Sequence, residues 1–544
     1  MKNYIIKPIL SKPGIQRDGT PFASDCYIDG QWCRFYMGKP RKIDGYELID
    51  NGNLEIMRSL FSVPLLNQIC LYIGRASSLA YNVIDFNGDD TGEIDVTPAG
   101  YVSNPNNIWD FDLFTTTTNG AASSFVVASV IPNGNDWSNI TNGSVYFAIP
   151  NTNAPLQLID PGINYSGTIA APNSPVDVSG GIVFASPFML AYGNNGFIRW
   201  SEGGRISGNI AGLDHDPGAW PDDNTAVIAN TKVIQIYPAR GSGAPQLLAW
   251  TLDSLININY TSVTVGQETT GTFTGSLVQD GITVMSPKSI VQYNQLFFWV
   301  GIDQFYVYNG LAQRLDNSMS TDWFFNKINL GQRSKVWGMS IPRYKEIWWF
   351  YPRGDNQQEC NAVVIYNVEL NVWYDSMISR AAGVSPGVFP FPLMSDSEIL
   401  AIHEGRGIAQ GYGLWMHEFG YDQVVGNTKY AINSYFETSI TTLFEGQPEN
   451  NRLIRSRRIE PDFAQPDKTT MTVTVNNRMF PSDTLENGNL IQSGPYTFTP
   501  DTQKIDDVNS QGRLVSYVFA SNEAGGSYQA GKSLLNFEIG DVRP

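Results

Sequence analysis

Asp85, Asn87 and Asp89 in "DFNGDDTGE" stand at alternate positions, the spacing with which a calcium loop presents its first three oxygen ligands. The rest of that loop is missing: Asp90 occupies the sixth position, where the sharp turn needs Gly, and Val96 the twelfth, where a bidentate Glu belongs. The three are carried forward as metal candidates without a complete loop. A second acidic stretch, "LDHDPGAWPDDN", sets His215 between Asp214 and Asp216, with Asp222 and Asp223 beyond. It has the outline of a hard-metal loop and the composition of an Asx-rich turn. The three histidines, His215, His403 and His417, form neither HExxH nor a close pair. No GxxxxGK[ST] loop, strand-flanked GxGxxG or GxSxG elbow appears. The expectation is therefore no catalytic residue, no cofactor and no metal.

The positive residues cluster twice. Arg452, Arg455, Arg457 and Arg458 lie in "NRLIRSRRIEPDF", and Arg34, Lys39, Arg41 and Lys42 in "WCRFYMGKPRKIDGY". In a chain of net charge -17 they do not amount to a duplex-gripping surface, because that affinity rests on neutralising phosphates. Both clusters are expected to serve as interface or docking residues, with a solvated or self-paired strand as the alternative for the Arg452–Arg458 cluster. The 52 acidic residues offer many carboxylate pairs, but glycoside hydrolysis needs two held about 5–10 Å apart, and sequence does not show which two converge.

The elements that must position these residues read as β-structure. Aromatics make up 12% of the chain and charged residues only 16%, with 51 Gly and 31 Pro, which favours many short strands with tight turns. "EIWWFYPRGDNQQECNAVVIYNVELNVWYD" (346–375) joins two continuous apolar runs by a polar loop. "NQLFFWVGIDQFYVYNG" (294–310) repeats the plan with a shorter loop, and further copies begin near residues 67, 123, 187, 245 and 397. Their spacing of roughly 50–65 residues predicts a β-propeller of about seven blades, six being the near alternative. A blade sits between two neighbours, so its middle strands are buried on both faces and read as unbroken apolar runs. WWFY is then an inner strand and not a binding platform. From about Tyr430 the pattern changes to clean alternation, as in "TMTVTVNNRMF", predicting a separate antiparallel domain. The expected division is an N-terminal strap or docking segment (1–50), the propeller (51–425) and a C-terminal sandwich-like domain (426–544). Cys26, Cys33, Cys70 and Cys360 show no zinc spacing and are expected free and buried. Lys7 and Pro8 cut the first apolar run, and no window approaches 18 apolar residues, so neither a signal peptide nor a membrane span is expected.

Four segments together resemble a known family: "GIQRDGTPFASDCYIDGQWCRFYMGKPRKIDGY" (14–46), "SIVQYNQLFFWVGIDQFYVYNG" (289–310), "EIWWFYP" with "VVIYNVELNVWY" (346–374), and the ending from "PYTFTPDTQKID" to "GGSYQAGKSLLNFEIGDVRP" (495–544). The chain resembles the packaged-DNA stabilisation, or tail nozzle (tail hub), proteins of short-tailed bacteriophages. The resemblance implies a virion structural protein made in the host cytoplasm, forming a homohexameric ring below the portal-adaptor. Such a ring retains packaged DNA, carries tail fibres or spikes and a distal plug, and passes double-stranded DNA at ejection without binding it specifically. The family supplies no catalytic residues to carry over. Two other classes stay open: a receptor- or glycan-binding tail propeller, and a polysaccharide-degrading propeller enzyme.

Overall fold

The structure is a computed structural model. It describes residues 5–542 apart from 65–67, 98–102, 104–107, 119–120, 132–144, 149–178, 202–220, 240–245, 266–267, 400–410, 443–451, 467–468 and a few single positions. Successive antiparallel sheets follow one another along the chain. Blade one comprises Ser59–Pro64, Gln68–Gly74, Leu79–Asp85 and Ile94–Asp95. Blade two is built on Ile108–Thr118 and Ala121–Ile131, blade three on Gly181–Ala185 and Phe188–Tyr192, and blade four on Val233–Ala239 and Gln246–Thr251. Blade five holds Val291–Tyr293 and Leu296–Val300, and blade six runs Trp337–Ile341, Glu346–Tyr351, Ala362–Asn367 and Val372–Met377.

Blade seven closes the ring with a strand from the other end of the chain. Arg380–Val384, Leu393–Asp396 and Tyr412–His417 are completed by Tyr46–Asn53, which pairs antiparallel with the last of them. The innermost strands of blades one and two, two and three, three and four, five and six, six and seven, and seven and one touch in turn. Blades four and five join through the Tyr237 hydroxyl, which donates to the Ile290 carbonyl at 3.4 Å, and through Trp250 against Trp299, 5.6 Å between rings. The molecule is thus a seven-bladed β-propeller with an added β-domain. Its closing strand straddles residue 50, the boundary expected between strap and propeller.

WWFY shows why blades need continuous apolar runs. Trp348, Trp349 and Phe350 are wholly buried and Tyr351 nearly so. Ile347, Trp349 and Tyr351 pack with Val291, Phe298 and Phe305 of blade five, while Trp348 and Phe350 pack with Trp337, Met339 and Met394. Alternation along a strand therefore sends successive rings to opposite faces, and both faces are interior. Phe350 stacks on Trp337 at 4.2 Å. A side chain at Gly338 would meet Trp349 and Val291 at 2.6 and 2.7 Å, so the glycine is what lets the blades approach.

The C-terminal region forms three sheets, and each takes strands from the first 42 residues. Ile5–Pro8 pairs with Leu534–Val542, Asp29–Gln31 with Ser434–Glu437, and Lys39–Lys42 lies between Cys33–Tyr36 and Gln529–Ala530. Met471–Arg478 starts with the alternating burial of a strand packed on one face, and Met471, Val473 and Val475 enter the core with Phe519 and Phe537.

Candidate functional site

In a propeller the mouth of the axial channel is the usual place for a ligand, so the residues at the start of each innermost strand come first. Here the mouth is filled by ion pairs between blades that are not neighbours. Lys288, before blade five, donates to Asp110 Oδ1 of blade two at 3.0 Å. Arg58, before blade one, holds Glu359 of blade six by two bonds of 2.9 Å, and Lys335 reaches the same carboxylate at 2.8 Å. Burial works to raise the Glu359 carboxyl, but the hydrogen bonds and charge of Arg58 and then Lys335 outweigh it and hold it below its ordinary value.

Asp110 and Asp112 face the same way along one strand at the mouth and form a carboxylate pair there. Each is already engaged: Asp110 accepts from the Ile182 N–H at 3.1 Å and Asp112 from the Phe184 N–H at 2.6 Å, stitching blade two to blade three. Burial pushes the Asp112 carboxyl up to about 6 against those bonds. Among the described residues, no group of three or more His, Cys, Asp or Glu side chains is placed to hold a metal ion. The chemistry at the mouth is that of clamps.

A dense polar network lies instead where the first 50 residues meet blades six and seven. Arg34 is fully buried between two carboxylates, bonding Glu418 through both terminal nitrogens at 2.7 and 2.6 Å and Glu346 at 3.1 Å. Glu346 heads the WWFY strand and also accepts from Trp348 Nε1 at 2.8 Å and the Tyr374 hydroxyl at 2.6 Å. The guanidinium lies 3.6 Å above the Tyr344 ring, whose hydroxyl donates to Asp44 at 2.8 Å. Arg41 sits 3.5 Å from Asp44. A second lock is Arg17, which bonds Asp375 on the outer strand of blade six at 2.8 Å and Asp29, itself bonded by Tyr435 of the sandwich at 3.1 Å.

Three acids, Glu346, Glu418 and Asp44, thus converge on Arg34 and Arg41, with the Arg343 guanidinium also 5.3 Å from the Tyr344 ring. Burial, only partly offset by Arg34, pushes the Glu418 carboxyl up to about 7, and the nearby Asp44 and Glu346 push the same way. A raised acid contributes stability that is complete below its ordinary value near 4.5 and is lost as pH rises through about 7. The stability difference between Glu418→Gln and the wild type is therefore expected to move in favour of the variant by roughly 1–3 kcal/mol between pH 5 and pH 8. Thermal melts of both proteins at the two pH values check this. Buried His417 is present in both and cancels in the difference.

The sequence-derived candidates are placed as follows. Arg34 and Lys42 correct the expectation of a docking patch: both are wholly buried, Arg34 as described and Lys42 with its ammonium on the Gly526 carbonyl at 2.6 Å. Burial lowers the Lys42 amine to about 8. These charges bind strap to body, and only the half-buried Lys39 and Arg41 of that cluster reach solvent. Of the C-terminal arginines, Arg457 pairs with Glu538 at 3.1 Å and Arg458 with Asp506 at 2.6 Å, inside the same sheet. Arg455 is half-buried and Arg452 exposed on that strand. Asp85 accepts from the backbone N–H groups of Asn87 and Asp89 at 2.8 and 2.9 Å, so the metal candidates form an Asx turn, with Asp85 bonded to its own loop. The His215 cluster lies largely outside the described residues. Glu346, Glu418, Arg17 and Asp375 were missed, and one signal was available: Glu346 is a lone charge heading an otherwise apolar strand.

No family model matches the sequence, and no curated protein matches it. Solved structures similar to it include the WD40 domain of Toxoplasma gondii coronin, 8% identical over 76% of this chain and 86% of that one, with a TM-score of 0.32. A Trypanosoma rangeli sialidase in complex with sialic acid is 6% identical over 99% and 95% at 0.30. A quinonprotein alcohol dehydrogenase-like protein from Bacteroides thetaiotaomicron is 10% identical over 59% and 66% at 0.29. Likeness at this level carries no argument about activity, and the propeller stands on its own sheets.

Proposed function

We propose that this chain is a structural subunit of a short-tailed phage tail nozzle, six copies forming a ring below the portal-adaptor through which packaged DNA is retained and later ejected. The observation that supports the reading is the convergence of the segments that carry the family resemblance. The strap (14–46), blade six (346–374) and the chain ending (495–544) are far apart in sequence and contribute to one core; Arg34 locks strap to blade six through Glu346, and Arg41 of the strap pairs with Gln529 of the ending. Three of the four segments that resemble the family thus belong to the frame that joins the propeller to the C-terminal domain, as a load-carrying ring component requires.

Charge fits the same role. Six copies at -17 each carry roughly -100, and a channel bordered by part of that field repels phosphate, so DNA slides past without sticking. The subunit's own axial mouth is crossed by Lys288–Asp110, which leaves the space between subunits as the passage for DNA. The assembly partners in this reading are the portal-adaptor, fibres or spikes, and a distal plug. The test is assembly: mixed with portal-adaptor rings, the chain is expected to add six copies, and failure to join adaptor-bearing rings would remove the reading.

A further inference from the structure

Lys39 and Arg41, the two cations of the strap cluster that reach solvent, belong to a wider surface. Cys33–Tyr36 and Lys39–Lys42 form a hairpin in which Arg34 stands opposite Arg41 and Tyr36 opposite Lys39, so these four side chains share one face. That face is buried at Arg34 and emerges toward the turn. There blade six joins it: the Tyr344 ring lies 5.9 Å from that of Tyr36, and Arg41 and Arg343 lie 5.5 and 5.3 Å from Tyr344. Arg343 and Lys345 are both exposed. Asp44 pairs with Arg41 and Glu369 with Lys345, whereas among the described residues neither Lys39 nor Arg343 has an acidic partner. In a chain of net charge -17 this face is an island of positive charge. Met37 tops it, 80% exposed and at a φ of 51°. That position of a two-residue turn takes Asn, Asp or Gly with less strain, so a methionine held there toward water is placed for contact outside the subunit. Arg, Tyr and Met are also the side chains that concentrate at protein interfaces.

The complement of this face lies elsewhere on the same chain. Asp50, Glu55, Asp90 and Glu93 line an open hollow of about 470 Å³ between blade one and the closing strand of blade seven, and Arg75, held by Glu93, is the one cation among its lining residues. The exposed Asp89 adjoins it, and Leu54, which also lines it, is 85% exposed. A negative concavity with an apolar residue at its edge thus matches a positive convexity with an apolar tip. The two surfaces share no residue, so their contact joins unlike patches of two copies and passes from copy to copy, the arrangement that closes into rings. We infer that the hairpin face of one copy, Met37 with Lys39, Arg41, Arg343 and Lys345, docks into the acidic hollow of the next copy, head to tail. The contact rests on the ring reading, which supplies the neighbouring copy.

The experiment uses two variants of the full chain. One carries Lys39→Glu and Arg343→Glu and makes the hairpin face negative; the other carries Glu55→Lys, Asp89→Lys and Asp90→Lys and makes the hollow positive. All five positions reach solvent and stand outside the Arg34 and Arg17 locks. Either variant alone sets like charges together at every contact, whereas a 1:1 mixture again pairs opposite charges at each one, with the two variants alternating. Sedimentation of the chain alone is expected to show the mixture associating at least about tenfold more tightly than either variant. On portal-adaptor rings, native mass measurement is expected to show three copies of each variant from the mixture and no complete ring from either by itself. Two results would overturn the contact: either variant assembling as the wild type does, or a mixture that associates no better than its parts. Wild type that refuses adaptor rings while the mixture still associates would instead remove the ring reading and keep the contact.

Discussion

Replacing Arg34 with alanine is expected to destabilise the chain by about 3–5 kcal/mol, because it leaves Glu346 and Glu418 facing each other in the interior with no cation between them. The loss exceeds that of one bond for a structural reason. Glu346 is wholly buried and the Glu418 side chain is only 7% exposed, so neither carboxylate is well solvated once the cation is gone. It also removes the cation from the Tyr344 face. Arg34→Lys keeps the charge but cannot fork between two carboxylates or stack on the ring, so it should fall between alanine and wild type. Urea unfolding followed by tryptophan fluorescence measures all three. A loss below about 1 kcal/mol for alanine, the scale of a surface pair, would contradict the assignment of Arg34 as an internal lock. The result also separates two roles, since a docking residue would leave stability untouched and fail only in assembly.

Deleting residues 1–53 is expected to have a still larger effect, abolishing cooperative unfolding. The segment is not an appendage. It supplies the fourth strand of blade seven and strands to three C-terminal sheets, and it carries Arg17, Trp32 and Arg34 into the interface. Without Tyr46–Asn53, the strand Tyr412–His417 becomes an open edge with unpaired backbone groups, which invites aggregation. Without the locks, Glu346, Glu418 and Asp375 lose their cations together. Calorimetry of the truncated chain checks this. A soluble protein with one sharp transition near that of the full chain would show that the first 53 residues are dispensable to the fold.

Both predictions turn on what could be seen before the structure and what could not. The blades were legible because burial on two faces writes itself locally: Trp348 to Tyr351 need nothing distant to explain them. The alternation of Met471, Val473 and Val475 was legible for the complementary reason of one solvated face. The strap was not. Arg34 meets Glu346 and Glu418 across more than 300 positions, and no local pattern encodes such a pairing. A basic cluster beside turn residues reads as surface, and only the fold reveals that the acids it needs are waiting inside. The closing strand escaped for a similar reason, since a sheet completed from the opposite end of the chain leaves no signal at either end.

The most direct test of the account is a native mass measurement of the purified chain mixed with portal-adaptor rings. A complex heavier than the ring by six increments of 60.2 kDa, formed without DNA, is the expected result. Rings of unchanged mass alongside free 60.2 kDa protein would contradict it.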